Sequence, residues 1–298
     1  DFRVSTLPGI YGESVVLRIL DKTKALKDLE QLGFMEQDRK TWENLLKYSG
    51  GILLVTGPTG SGKTTTLYAS LKKLNTIDRK LMTVEEPVEY QIPGINQTQV
   101  KPEIGLTFAS VLRAFLRQSP DVILVGEIRD FETADIALRA ALTGHLVFST
   151  LHTNDAPSAI TRLIDLGVPP FLVASSVQGV MAQRLVRVLC KFCKQQIEPD
   201  EQMKKALKIQ EGEKVTIYEP RGCPECNFTG FMDRLAIFEI FIMNDTLRDL
   251  TMKRATAEEL RKEARRLGMS TMRDDGIRKV KLGFTTLQEV TEVAGEEI

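Results

Sequence analysis

The chain reads as an α/β protein built on a parallel sheet with helices on both faces. Three observations predict it. The glycine-rich stretch Gly57-Pro58-Thr59-Gly60-Ser61-Gly62-Lys63-Thr64 follows an apolar run at residues 52–55 and precedes a helical stretch from Thr65. Short β-branched runs then alternate with helical segments, the pattern of strands joined by helical crossovers. Beyond them stand two C-x-x-C pairs, which mark a separate metal-binding module, and then a charged, helix-rich tail.

In chain order, residues 2–20 alternate weakly and carry Pro8, Gly9 and Gly12, which predicts two strands joined by a turn. The sequence begins with Asp1 rather than Met and opens directly into this segment, so it is expected to be a piece of a longer protein. Residues 21–36 form a polar, Lys-containing connector. Residues 37–48 predict a helix with Trp42, Leu45 and Leu46 on its apolar side, stopped by Gly50 and Gly51. Runs at 52–55, 81–84, 122–125 and 146–149 predict buried parallel strands, and 65–74 a helix with Leu67, Leu71 and Leu74 at helical spacing. The charged stretch 198–214 predicts a short helix and a turn. Residues 245–297 predict helices with Leu247, Leu250, Leu260 and Leu267 in the core. There is no internal repeat and no low-complexity tract.

Composition narrows the classes. A length of 298 residues gives room for about two domains. Lys+Arg and Asp+Glu both number 40, so net charge gives no sign of a nucleic-acid or membrane-surface partner. The longest apolar run, 235–243, is interrupted by Glu239 and falls short of the ~18 residues that a membrane span requires. No signal peptide opens the sequence.

The glycine-rich stretch fits a phosphate-binding loop, and strand, loop and helix are the context that motif requires. Its glycines turn backbone N–H groups inward around a phosphate, and the helix N-terminus adds partial positive charge. Gly57 to Thr65 are the expected nucleotide-binding residues. Lys63 is expected at the β- and γ-phosphates and Thr64 on Mg²⁺. Ligands in parallel sheets bind at the carboxyl ends of the strands, so the polar residues there are the next candidates. Glu85 and Glu86 follow one strand and Glu127 another. Glu127 suits a Mg²⁺ held through water; Glu85 or Glu86 suits the orientation of an attacking water. Solvated loop carboxylates are the bland alternative. The only two histidines, His145 and His152, flank one predicted strand. His152, at its carboxyl end, is placed to sense a γ-phosphate, whereas His145 is expected to be structural or at an interface. Arg3, Arg18, Arg113, Arg117, Arg129, Arg139 and Arg162 are candidates for charge supplied to the transition state, with surface ion pairs as the alternative for each.

Cys190, Cys193, Cys223 and Cys226 form two knuckles able to turn four thiolates onto one ion, which suggests a tetrahedral structural zinc. The 29 residues between the pairs exceed the usual ribbon spacing, so an excursion is looped out. Two redox pairs or four free thiols are the alternatives.

These segments together resemble the secretion ATPase superfamily, in particular the type II secretion and type IV pilus assembly ATPases. The resemblance rests on residues 3–8, Gly12 to Arg18, the phosphate loop, 85–89, 125–129, 143–154, Arg184-Leu185-Val186, both cysteine pairs and 270–276. It covers essentially the whole chain. It implies a RecA-like ATPase core, with 85–89 as an acidic box, 125–127 as a Walker B segment carrying Gly126 where other ATPases have Asp, and 143–154 as a histidine box. The acidic box reads Glu85-Glu86-Pro87 where Glu-Asp-Pro is commoner. Arg3 and Arg18 match arginines of a preceding domain that reach the nucleotide on closure; Arg113, Arg117, Arg129 and Arg162 match others lining that site or a subunit interface. The cysteine pairs match the assembly and secretion branches rather than the retraction branch.

The implied domains are 1–20, the end of a preceding α+β domain; 21–185, the core; 186–235, the tetracysteine zinc module; and 236–298, a C-terminal helical domain. The implied protein is a cytoplasmic homo-hexamer that hydrolyses MgATP to drive (pseudo)pilin fibre assembly. It would act at the inner membrane through a platform protein and a membrane-recruiting adaptor, without inserting into the bilayer. A nucleic-acid translocase is a rival reading, opposed by the balanced charge and low aromatic content. A non-hydrolysing nucleotide scaffold is another, opposed by Lys63, Thr64 and Glu127.

Overall fold

A computed structural model describes residues 2–19, 27–210, 212–213 and 215–295. The first element is a hairpin of β1 (Phe2–Gly9) and β2 (Gly12–Ile19), paired antiparallel with Arg3 opposite Arg18. Helix α1 (Glu36–Leu45) follows, with Trp42, Leu45 and Leu46 buried as its periodicity predicts. Then come β3 (Gly51–Thr56), α2 (Lys63–Leu74), β4 (Leu81–Glu85), β5 (Asn96–Gln99), α3 (Phe108–Phe115), β6 (Val122–Val125), α4 (Phe131–Leu142) and β7 (Leu146–Leu151). Helices α5 (Pro157–Asp165) and α6 (Pro170–Ser176) lead into the long strand β8 (Val177–Leu189). An excursion holds β9 (Gln195–Ile197), α7 (Glu201–Ala206) and β10 (Ile217–Glu219). Strand β11 (Phe231–Ile242) returns from it, and α8 (Asp245–Met252), α9 (Ala257–Arg266), α10 (Met272–Lys281) and α11 (Leu287–Ala294) close the chain.

Among the described residues the central sheet has seven strands in the order β11-β8-β3-β7-β6-β4-β5. All neighbours are parallel except β11, which runs antiparallel to β8. The inner strands are buried on both faces, which is why they read as apolar runs rather than alternations. Ile52 and Leu54 face a core built with α3 to α6 and the C-terminal helices. Leu53 and Val55 face the opposite core, built with α1 and α2.

The structure departs from the sequence expectations at several points. Strand β5 is a polar edge strand, Asn-Gln-Thr-Gln, without an apolar pattern to betray it. Strands β8 and β11 were not foreseen; they pair along most of their length and run across the division points expected at 185/186 and 235/236. Leu267, expected in the core, is 45% exposed, because it caps α9 just beyond its last buried turn. Leu247 and Leu260 are buried as expected, and Leu250 is partly buried. No helix among the described residues is long and apolar enough to cross a membrane.

Candidate functional site

Parallel pairing brings the carboxyl ends of β3, β4, β6 and β7 to one edge of the sheet. The phosphate loop leaves β3 there and enters α2, whose N-cap Gly62 is left-handed at φ 89°. Gly57 also needs its missing side chain: a Cβ there would stand 2.4 Å from the Gln183 carbonyl oxygen. Around the loop lies a cleft of about 770 Å³. Thr59 to Thr65 line it, together with Glu85, Glu86, Glu127, Arg129, His152 and Arg18. Gly57 and Pro58 do not; their carbonyls accept the Lys63 ammonium at 2.8 and 3.0 Å. Burial lowers the pKa of that ammonium, and the Glu127 charge opposes the shift.

The acidic residues that the sequence left equivalent differ sharply. Glu85 is 4% exposed, and among the described residues its hydrogen-bond partners are all neutral. Its carboxylate accepts from the Tyr68 hydroxyl, from Thr83 Oγ1 at 2.6 Å and from Gln97 Nε2 at 3.3 Å. Glu86 is 38% exposed and pairs with Arg129 at 3.3 Å. Arg129 also pairs with Glu127 at 2.6 Å, and His152 Nε2 lies 3.3 Å from the other Glu127 oxygen. Gly126, at the position where other ATPases have Asp, is closely approached: a Cβ would meet the Val84 carbonyl at 3.2 Å and Glu85 Cα at 3.3 Å, so a side chain there would require the neighbouring backbone to give.

Of the remaining sequence candidates, Arg18 reaches the cleft, and the Arg3 side chain lies outside the described residues. Arg113 pairs with Glu132 at 2.5 Å, Arg139 pairs with Asp135, and Arg117 bonds the Arg113 carbonyl. These three and Arg162 do not line the cleft. His145 is structural in its contacts, with Nδ1 2.9 Å from the Ala140 carbonyl.

Sequence reasoning missed Gln183. It is buried in β8, donates to the Ser61 carbonyl at 2.7 Å and accepts from Thr66 Oγ1 at 2.8 Å, so it clamps the loop onto its helix. A lone amide following the apolar residues 180–182 was the available signal, since a buried amide demands partners. Tyr68, Thr83 and Gln97 were missed too.

The four cysteines converge. All sulfurs lie within 4.8 Å of one another, with Cys190–Cys223 and Cys193–Cys226 at 3.8 Å and Cys223–Cys226 at 3.7 Å. A tetrahedron with ligand distances of ~2.3 Å has an edge of about 3.8 Å, so the cluster fits one metal ion. These separations are far beyond the ~2.05 Å of a disulfide. Burial opposes thiolate formation at Cys226, but N–H bonds from Cys223 and Gly230, each 3.2 Å, outweigh it and hold this thiol down to about 6.

Comparison with known proteins agrees with this architecture. The pattern of the family described as type II/IV secretion system protein matches residues 1–292. The type II secretion system protein E of Pseudomonas aeruginosa is 53% identical over 297 residues, covering 100% of this chain and 59% of the relative. The type IV pilus assembly ATPase PilB of Thermus thermophilus is 49% identical over 292 residues, covering 97% of this chain and 33% of that protein. The chain therefore spans three-fifths or less of these relatives' lengths. Among solved structures, the pilus retraction motor PilT with bound ADP aligns at a TM-score of 0.72 and 30% identity, over 99% of this chain and 74% of that one. With the family pattern matched over residues 1–292 and relatives about half identical along nearly its whole length, the chain belongs to the type II/IV secretion system protein family.

Proposed function

We propose that this chain is the ATP-hydrolysing part of a secretion or pilus assembly motor. The observation that carries the reading is the convergence of the phosphate loop, Glu85 and Glu127 at adjacent strand ends around one cleft. The loop N–H groups and Lys63 bind the phosphates of ATP. Thr64 and Glu127 would hold Mg²⁺, which when bound would neutralise phosphate charge. Glu85 is the better acceptor for the proton of the attacking water, because it faces the cleft without a cation to occupy it. As the water oxygen bonds to the γ-phosphorus, the bond to the β–γ bridging oxygen breaks. That electron pair leaves with ADP, and the water proton passes to Glu85. His152 reports the γ-phosphate to Glu127. Arg18, with Arg3 beside it in the hairpin register, adds positive charge when the preceding domain closes.

The cysteine cluster holds a structural zinc in a module looped out between β8 and β11. The motor is a homo-hexamer in the cytoplasm, held at the inner membrane by a platform protein and an adaptor. The share of identity with type II secretion and PilB relatives, against 30% with a retraction motor, supports assembly over retraction. Phosphate release from the assembled protein tests the reading. Lys63→Ala should abolish MgATP binding or turnover. Glu127→Gln should keep nucleotide binding and lose hydrolysis by roughly 100-fold or more. Wild-type hydrolysis by Glu127→Gln would remove Glu127 from the mechanism.

A further inference from the structure

We propose that Tyr68 is a positioning residue for the hydrolytic reaction, acting with Thr83 to aim the Glu85 carboxylate at the attacking water. The inference rests on the functional reading above and deepens it.

Tyr68 sits five residues beyond Lys63 on α2, the helix whose first turn carries the phosphate anchors Lys63 and Thr64. It is buried, yet it also forms part of the cleft wall. Its hydroxyl donates to Glu85 Oε2 and accepts the Glu89 N–H at 3.3 Å. The ring is fixed edge-on against Tyr90, with centroids 6.4 Å apart. Glu85 Oε1 is held from the other side by Thr83 Oγ1 at 2.6 Å and Gln97 Nε2 at 3.3 Å. Gln97 is itself fixed, donating to the Tyr90 carbonyl at 3.0 Å and accepting the Ile92 N–H at 2.7 Å. Burial, and secondarily the Glu85 charge, push the Tyr68 phenol far above its usual range, so it remains a donor throughout the working pH range.

The consequence is geometric. One rigid helix carries both the groups that place the phosphates and the hydroxyl that places the proton acceptor. Glu85 and the γ-phosphate are thereby held in one frame. A proton acceptor must stand within hydrogen-bond reach of its water, and small misplacements cost large factors in rate. All three partners of Glu85 are neutral. They fix its direction without supplying a cation that would compete for the proton, in contrast to the Arg129 guanidinium on Glu86 and Glu127.

The test is a mutant cycle in the full-length, assembled protein, measured by steady-state phosphate release and nucleotide binding. Tyr68→Phe keeps the ring and removes only the hydroxyl. It should lower kcat by about 10–100-fold while KM and nucleotide affinity stay within about twofold. Thr83→Val, acting on the other oxygen, should show the same split. Glu85→Gln should lower kcat further, and adding Tyr68→Phe to it should cost nothing more, because the hydroxyl acts only through that carboxylate. A residue with a merely structural role would give additive losses. Three results overturn the proposal: full kcat in Tyr68→Phe, an equal loss from Tyr68→Phe in the Glu85→Gln background, or wild-type turnover by Glu85→Gln. Failure of the underlying reading looks different. A wild-type protein that hydrolyses nothing, or a Lys63→Ala variant that hydrolyses normally, overturns the reading and the proposal together.

Discussion

The nucleotide cleft and the cysteine cluster are both sites of convergence, but they are assembled by opposite means. The cleft gathers Arg18, Lys63, Glu85, Glu127 and His152 from distant parts of the chain. Arg18 comes from the exposed hairpin strand β2, but each of the others lies at or just beyond the end of a strand buried on both faces, whose hydrogen bonds to its neighbours fix where it ends. The cysteine cluster gathers two four-residue knuckles. Its surroundings are short strands, one short helix and exposed aromatic side chains such as Phe192 and Phe228. The first site is therefore prepared by the fold before any ligand arrives. The second, on the reading proposed above, depends on a bound metal to hold the excursion between β8 and β11, although Leu207 and Ile217 of that excursion also pack into the main core.

The most severe way to test this contrast is to remove a cysteine. Structural zinc in small modules contributes roughly 10–16 kcal/mol of apparent binding energy. Cys193→Ser should take bound zinc from one ion per chain to near none by metal analysis. Amide-exchange protection should vanish across residues 190–231, while nucleotide affinity of the sheet stays unchanged. Loss of nucleotide binding in that variant would show that the two sites are not separable. A smaller perturbation reverses the direction. Gln183→Leu leaves the Ser61 carbonyl and the Thr66 hydroxyl without their partner, a cost of about 1–3 kcal/mol. It should weaken nucleotide binding and lower the denaturant midpoint, with the zinc content intact. A parallel loss of zinc would join the sites instead.

The smallest effect sharpens the comparison on the sheet side alone. Glu239 on β11 is buried and accepts the Ala156 N–H at 2.9 Å. Burial, reinforced by the Asp155 charge, raises its pKa against the pull of that N–H and of Arg261. A carboxyl raised in the folded state is protonated in both states at low pH and costs nothing there. As pH rises through the unfolded value toward the folded one, the folded state holds the proton longer and stability falls. Glu239→Gln keeps an acceptor for Ala156 and has no such dependence. Thermal melts across pH should show the variant and the wild type equal in acid, with the variant the more stable near neutrality. Parallel curves would mean that Glu239 does not titrate on unfolding.

Legibility in the sequence follows the same division. The phosphate loop and the cysteine knuckles are local patterns, legible in the order of their own residues. The inner strands 52–55, 81–84, 122–125 and 146–149 were legible because strands buried on both faces are mostly apolar, Thr83 and Ser149 being the exceptions; β6 matches to the residue and the others extend by one or two residues. Strand β5 was not, because an edge strand carries no such demand. Strand β11 is concealed by its own strength: the apolar run at 235–243 reads first as a span too short for a membrane rather than as a strand. The difference between Glu85 and Glu86 could not be read from adjacent identical letters. It arises from Tyr68 on α2, Thr83 on the same strand, Gln97 on the edge strand β5 and Arg129 in the loop after β6. Gln183 lies well over a hundred residues from the loop that it clamps, and only the parallel pairing of β3 with β8 makes them neighbours.

Strand β8 also has a mechanical meaning. It is hydrogen-bonded to β3 along its first half and to β11 along nearly all of it. Gln183 grips the phosphate loop near its middle, and the residue after its last is Cys190. Seven residues of extended chain span about 23 Å at ~3.3 Å each, and extended backbone has almost no slack to take up. Between Gln183 and Cys190 there is thus little extensible backbone to take up a displacement along the strand. The two sites are built by different means, yet they share one inextensible piece of backbone.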